Sequence, residues 1–205
     1  MRRPRPVSFA YLIFLAAVPP LAWAVEEAKP DADGWIVLFD GKDLSGWHKA
    51  RPVHTDDPLW TVEDGAMTNL PPDARDIATK AEFGDFDLIL EYRTVKEGNS
   101  GVYLRGRIEV QVFDSCGKKT PDTSDDGAIF GQVAPAVNAS KPAGEWNTLE
   151  LRLVGAVITV KLNGQTIHDK VKLEKVCNGA LPGGLLDPGP IRLQGDHGKV
   201  WYRNL

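Results

Sequence analysis

Residues 101–116, GVYLRGRIEVQVFDSC, read as two short strands joined by a turn at Gly106, with Val102, Leu104, Ile108, Val110 and Val112 at alternate positions. Successive side chains of a strand point to opposite faces, so this apolar set faces a core. Tyr103, Arg105, Glu109 and Gln111 then lie together on the other face. That second face is either ordinary wet sheet surface or a site, and the rest of the chain bears on which.

The texture of this stretch recurs along the sequence. LWTVEDGAMTNL (59–70) is a strand, an Asp64-Gly65 turn and a second strand; AVITVKLNGQTIHDKV (156–171) is a hairpin about Asn163-Gly164, a pair that tolerates the positive φ of tight two-residue turns. DFDLILEYRTV (85–95) alternates Leu88, Leu90 and Tyr92 with Ile89, Glu91 and Arg93. GWIVLFDGKDLSGWHKA (34–50), GAIFGQVAP (127–135), NTLELRLVG (147–155) and GPIRLQGDHGKVWYRNL (189–205) add further β-rich runs. Almost none of these segments has helical periodicity, and Gly, Asn, Asp and Pro separate them, so the expected fold is all-β, a jelly-roll β-sandwich. The stretches 115–127 and 175–189 are rich in Gly, Pro, Asp and Lys and read as loops over one rim.

The chain of 205 residues, 42% hydrophobic and 25% charged, suits one globular domain. MRRPRP is basic and FAYLIFLAAVPPLAWA apolar, ending in small residues, so 1–24 reads as a secretory signal peptide cleaved after Ala24. The apolar run from Phe9 to Val18 is too short to span a bilayer, which argues against a stable membrane anchor. Residues 25–33 form a charged, flexible leader, and 34–205 the domain. Export to the periplasm or the exterior is therefore expected. A net charge of −4 disfavours a nucleic-acid partner, which would call for clustered Lys and Arg. Cys116 and Cys177 could pair after export if their Cα atoms come within about 7 Å.

If 85–95, 101–112 and 189–195 share one sheet, Glu91, Arg93, Tyr103, Arg105, Glu109, Gln111, Arg192 and Gln194 make one polar patch. Cross-strand Glu and Arg pairs on a wet face contribute little. Arg and Gln, however, present several directed hydrogen bonds and suit sugar hydroxyls. QGDHG (194–198) adds a histidine, His197, held between glycines next to that patch. Trp47, Trp60, Trp146 and Trp201 read as core or rim, and Asp114 as a turn cap.

LFDGKDLSGW (38–47), FGDFDLILEYR (83–93), GNSGVYLRG (98–106), EVQVFDS (109–115), GAIFGQVAP, KPAGEWNTLELRL (141–153), VKLNG (160–164) and IRLQGDHGKVWYRNL (191–205) resemble, in this order, the 3-keto-disaccharide hydrolase domain family, also called DUF1080. The resemblance implies a concanavalin A-like jelly roll acting on sugars oxidised at C3, either as a hydrolase or as a lyase and hydratase. A ketone at C3 acidifies the C2 proton; a base removes it, the C1 substituent leaves, and water adds to the glucal. Such chemistry needs a base, donors or a divalent metal ion on the enolate oxygen, and an acid for the leaving group. The matched positions are Asn99, Ser100, Arg105, Glu109, Gln111, Gln194 and His197. The resemblance implies His197 or Glu109 as base or metal ligand, Arg105 as oxyanion donor, and Gln111 and Gln194 as hydroxyl binders. Lys80 is a further electrophile, and Asn99, Tyr103, Arg93 and Glu91 complete the expected 3-keto-glycoside site. The alternative is a carbohydrate-binding module of the same fold with no catalysis.

Overall fold

The computed structural model describes residues 30–50, 59–71 and 74–205. The expected signal peptide and most of the leader lie outside the described residues. Among those described there are two antiparallel sheets and no helix, so none is long and apolar enough to cross a membrane.

One sheet has five strands in the order β1 (Trp47–Lys49), β4 (Ile77–Thr79), β11 (Arg192–Leu193), β6 (Asn99–Leu104) and β7 (Ile108–Phe113). The other has seven: β10 (Gln165–Lys172), β9 (Val157–Leu162), β8 (Asn147–Val154), β5 (Phe86–Thr94), β12 (Val200–Arg203), β3 (Ala66–Asn69) and β2 (Trp60–Glu63). This is the all-β, concanavalin A-like jelly-roll sandwich. The alternating apolar residues meet between the sheets. Val102, Leu104, Ile108, Val110 and Val112 from one sheet and Leu88, Leu90, Tyr92, Leu149, Leu151, Val160 and Tyr202 from the other are all in the buried core. The transfer of so much β-branched and aromatic surface from water is the main force holding the two layers together.

The turns follow from residue type. Asn163 and Gly164 both take positive φ, at 51° and 79°, and Asp64 and Gly65 take 50° and 75°, the backbone that lets a two-residue hairpin match strand twist.

Three expected elements differ. The run 34–39 is not a strand: Leu38 donates its N–H to the Leu205 carbonyl and its own carbonyl accepts from the Trp47 indole, so its backbone bonds go to the chain end and a side chain. The 127–135 run is a turn, folded back by Ile129 N–H to Val133 and Gln132 N–H to Ile129. The segment 189–205 is divided, with β11 in the five-stranded sheet and β12 in the seven-stranded sheet. Glycines at 195 and 198 flank the crossing; a side chain at Gly195 would collide with the backbone of Arg75. Cys116 is exposed and Cys177 buried, and both are free thiols.

Candidate active site on the five-stranded sheet

The outer face of the five-stranded sheet holds a cleft of about 470 Å³. Strand register assembles it. Tyr103 lies opposite Glu109 and Gly101 opposite Gln111 across β6 and β7, while Arg192 of β11 lies opposite Tyr103 from the other side. Asp76, just before β4, and Gln194, just after β11, extend the row, and His197 and Asn99 stand with them on the lining. The segment Asn178–Gly179 of the long 175–189 loop and Phe130 of the 128–133 turn close the sides.

Glu109, Gln111, Tyr103 and Arg192 are buried, Glu109 at 3% and Arg192 at 1% exposure. Each nevertheless lines the cleft. Gly101 is what lets Glu109 lie flat: any Cβ at position 101 would strike its carboxylate. Tyr103 hydrogen-bonds Glu109 through its phenol. Arg192 stacks its guanidinium over the Tyr103 ring, 3.6 Å from the centroid, and its Nη1 pairs with Asp76 Oδ2 at 3.1 Å. Asp76 is itself held by the N–H of Gly195. Gln111 donates to the Asn99 side-chain oxygen at 3.1 Å. The Nδ1 of His197 contacts Asp196, which leaves Nε2 as the other nitrogen at the mouth.

Burial sets the protonation states. The Glu109 carboxyl is pushed up to about 7, chiefly by desolvation and in smaller part by the negative field of Asp76; the Tyr103 hydrogen bond, Arg192 and His197 oppose the rise without cancelling it. Burial, then the neighbouring Glu109, holds Tyr103 well above the ordinary phenol range, so it stays a neutral donor. The Cys177 thiol is pushed up to about 11 by the same two causes and is not a nucleophile at neutral pH. A carboxyl poised near neutrality in a cleft is suited to take up and return a proton.

Of the residues anticipated from sequence, Glu109, Gln111, Tyr103, Asn99, Gln194 and His197 all line this cleft. Four lie elsewhere. Arg105 is not an oxyanion donor. It sits in the β6–β7 turn with φ 51°, and its guanidinium is spent on the carbonyls of Gly84, Gly155 and Leu185 and on the Asp85 carboxylate. Glu91 and Arg93 belong to β5 in the other sheet: Glu91 pairs with Arg203, and Arg93 lies between the rings of Trp146 and Trp201. The alternation that separated them from the core is right, but a sandwich has two outer faces and sequence period does not tell them apart. Lys80 is exposed just beyond β4 and is not on the cleft lining.

Asp76 and the Asn178–Gly179 segment are cleft residues that the sequence reading left out, and Arg192, which it placed in the polar patch, was given no role there. Arg192 carried a signal, being out of phase with the apolar Ile191 and Leu193. Asp76 carried none, because its place depends on β4 pairing with β11 far along the chain.

Among the described residues no three His, Cys, Asp or Glu side chains converge as a ligand set. The acids beside Glu109 are committed, Asp76 to Arg192 and Gly195, and Asp196 to His197. Among the described residues no ligand set for a metal is assembled, and the chemistry below is derived from the chain's own groups.

Comparison with known proteins places this site in context. The family profile of the 3-keto-alpha-glucoside-1,2-lyase-like domain matches residues 34–205. A 3-keto-disaccharide hydrolase of Bacteroides thetaiotaomicron is 27% identical, over 85% of this chain and 78% of that protein. Among solved structures, a presumed glycosyl hydrolase from Parabacteroides distasonis superposes with a TM-score of 0.69 at 29% identity, covering 98% of both chains. A second presumed glycosyl hydrolase from the same organism gives 0.64 at 26% identity, covering 83% of this chain and 96% of the other.

Proposed function

The chain belongs to the 3-keto-alpha-glucoside-1,2-lyase-like domain family, and from that premise we propose that it cleaves 3-keto-glycosides by elimination across C1–C2 followed by hydration. The observation that carries the reading is Glu109: a carboxyl raised to about 7, bonded to a neutral phenol and facing a cleft with an arginine beside it.

The steps balance with these residues alone. Glu109, as carboxylate, takes the C2 proton that the adjacent ketone has acidified. The electron pair moves to the C3 oxygen as an enolate, beside the Arg192 guanidinium, whose positive charge favours it. The enolate reforms the ketone as the C1–O bond breaks, and the departing oxygen takes a proton from Nε2 of His197 at the cleft mouth. Water then adds at C1 of the glucal, giving its proton to the imidazole, while Glu109 returns its proton to C2. The net change is hydrolysis without oxidation, and the pair of opposed carboxylates used by ordinary glycosidases is not required. Tyr103 holds the Glu109 carboxylate in place and supplies a donor to it throughout. The basic and apolar N-terminus supports action outside the cytoplasm.

The test is to incubate the mature protein with a 3-keto-glycoside and with its unoxidised parent, with and without a chelator. Release of the aglycone from the keto substrate alone, with a glucal intermediate, is expected. Binding of the keto substrate with no turnover would make the chain a sugar-binding module instead.

A further inference from the structure

Among the described residues, three buried polar atoms of the cleft have no hydrogen-bond partner: Nε and Nη2 of Arg192 and Oε1 of Gln194. Buried donors and acceptors in folded proteins are almost always satisfied, and each one left bare costs free energy, so a cluster of three at a cleft marks what its ligand brings. Their geometry narrows that ligand. The guanidinium is fixed on two sides, by the Tyr103 ring beneath it and by Asp76 at Nη1. Its remaining edge, Nε with Nη2, is the fork whose two N–H bonds run parallel and receive either one oxygen with two lone pairs or two neighbouring oxygens. That edge can only donate. Gln194 is two residues along from Arg192 and lines the same cleft, and its bare oxygen can only accept.

We infer that Arg192 and Gln194 together read an α-hydroxyketone, the fork taking the ketone oxygen and Gln194 accepting the proton of a hydroxyl on the adjoining carbon. This inference rests on the reading of the site as a 3-keto-glycoside site and adds to it the element that tells the keto sugar from its parent alcohol. A ketone oxygen in the plane of the fork accepts both N–H bonds. The parent hydroxyl sits on a tetrahedral carbon, out of that plane, and brings a proton that a donor-only edge cannot receive. A buried group left unpaired by the wrong ligand is the strongest form of discrimination a site has. Asp76 is then a positioning residue, holding the fork edge toward the ligand from Nη1.

The experiment uses a ligand that cannot react, 1,5-anhydro-3-keto-glucitol, which has no leaving group at C1, and its alcohol, 1,5-anhydroglucitol. Binding of both to the full-length mature protein is followed by calorimetry, beside cleavage of a 3-keto-glycoside. The wild-type protein should prefer the ketone by roughly tenfold or more. Arg192→Lys should cut that preference to a few-fold, and Gln194→Leu should weaken both ligands by a similar factor, because both carry the hydroxyl on the adjoining carbon. Arg192→Lys keeps the charge over the Tyr103 ring, and Gln194→Leu gives a second answer should Arg192→Lys fail to fold. An unchanged preference in a folded Arg192→Lys protein, or unchanged affinity for both ligands in a folded Gln194→Leu protein, with the keto substrate still cleaved, overturns this inference and leaves the proposed function standing. Failure of the wild-type protein to bind or cleave any keto ligand overturns both.

Discussion

The two outer faces of the sandwich are built from the same residue types and behave oppositely. On the seven-stranded sheet, Arg203, Trp146, Arg93, Trp201 and Lys199 alternate as a ladder of cations and rings, with separations of 3.9, 5.0, 4.6 and 5.0 Å. Glu91 closes one end on Arg203 and Glu63 the other on Lys199 and the Trp201 indole. The charges there answer one another, with the buried Nε of Arg93 alone left without a hydrogen-bond partner among the described residues of the ladder, and the ladder covers its own sheet. On the five-stranded sheet, Arg192 also stacks on an aromatic ring and also meets an acid, yet two of its three guanidinium nitrogens are bare, Oε1 of Gln194 beside it is bare too, and its neighbouring carboxyl is pushed toward neutrality. Composition does not separate a structural face from a reactive one; the number of groups left unanswered does.

The contrast is tested most severely at Glu109. Glu109→Gln keeps the shape and the Tyr103 contact while removing the base, so turnover should fall by about 100- to 10,000-fold, read as initial rates on a 3-keto-glycoside. Thermal melting should not fall with it. Arg105→Ala should do the reverse. Removing that guanidinium strands the carbonyls of Gly84, Gly155 and Leu185, at a cost of about 3 kcal/mol in urea unfolding. Below the melting temperature, kcat/KM of the folded protein should change little.

A third test uses pH. The Glu109 pKa is about 7 in the folded chain against an ordinary value of 4.5, so between those values the folded state binds the extra proton. Stability from this group is present at low pH and is lost as pH rises through that window. Asp126, fully buried against Tyr92 and raised to about 6, has the same sign over a lower range. The difference between wild type and Glu109→Gln isolates Glu109. The variant should match wild type near pH 4 and exceed it by about 2–3 kcal/mol at pH 8. Activity should run the other way, with kcat/KM rising along an acid limb near pH 7 as the base ionises.

What could be read from sequence follows from the range of the forces involved. Period-two alternation is local, so the hairpins around Gly106, Asn163-Gly164 and Asp64-Gly65 and the split of each strand into core and outer residues were legible. Six residues of the cleft were too, because Tyr103, Glu109 and Gln111 share one hairpin and the QGDHG turn follows the next strand of the same sheet. Sheet membership is not local. Glu91 and Arg93 were assigned to the wrong face because nothing within β5 says that its partners are β8 and β12. Arg105 looked like part of the polar row, but the row ends at Leu104 where the chain turns; its left-handed backbone swings the side chain toward Gly84 and Asp85. Asp76 entered the site only through the β4–β11 pairing.

The smallest expected effect probes the other side of the comparison. Arg93 is the middle rung of the ladder, its guanidinium 5.0 Å from the Trp146 ring and 4.6 Å from that of Trp201. Two such contacts at a half-buried position contribute about 1–2 kcal/mol together. Arg93→Met keeps the packed stem and removes the charge, so chemical unfolding should lose about that amount. Because the ladder lies on the far sheet, with the core of Tyr92, Tyr202 and Val102 between it and the cleft, kcat and KM for the keto substrate should stay at wild-type values. A fall in kcat in this variant, with melting unchanged, would mean that the two faces are coupled through the core and that the outer ladder takes part in the proposed activity.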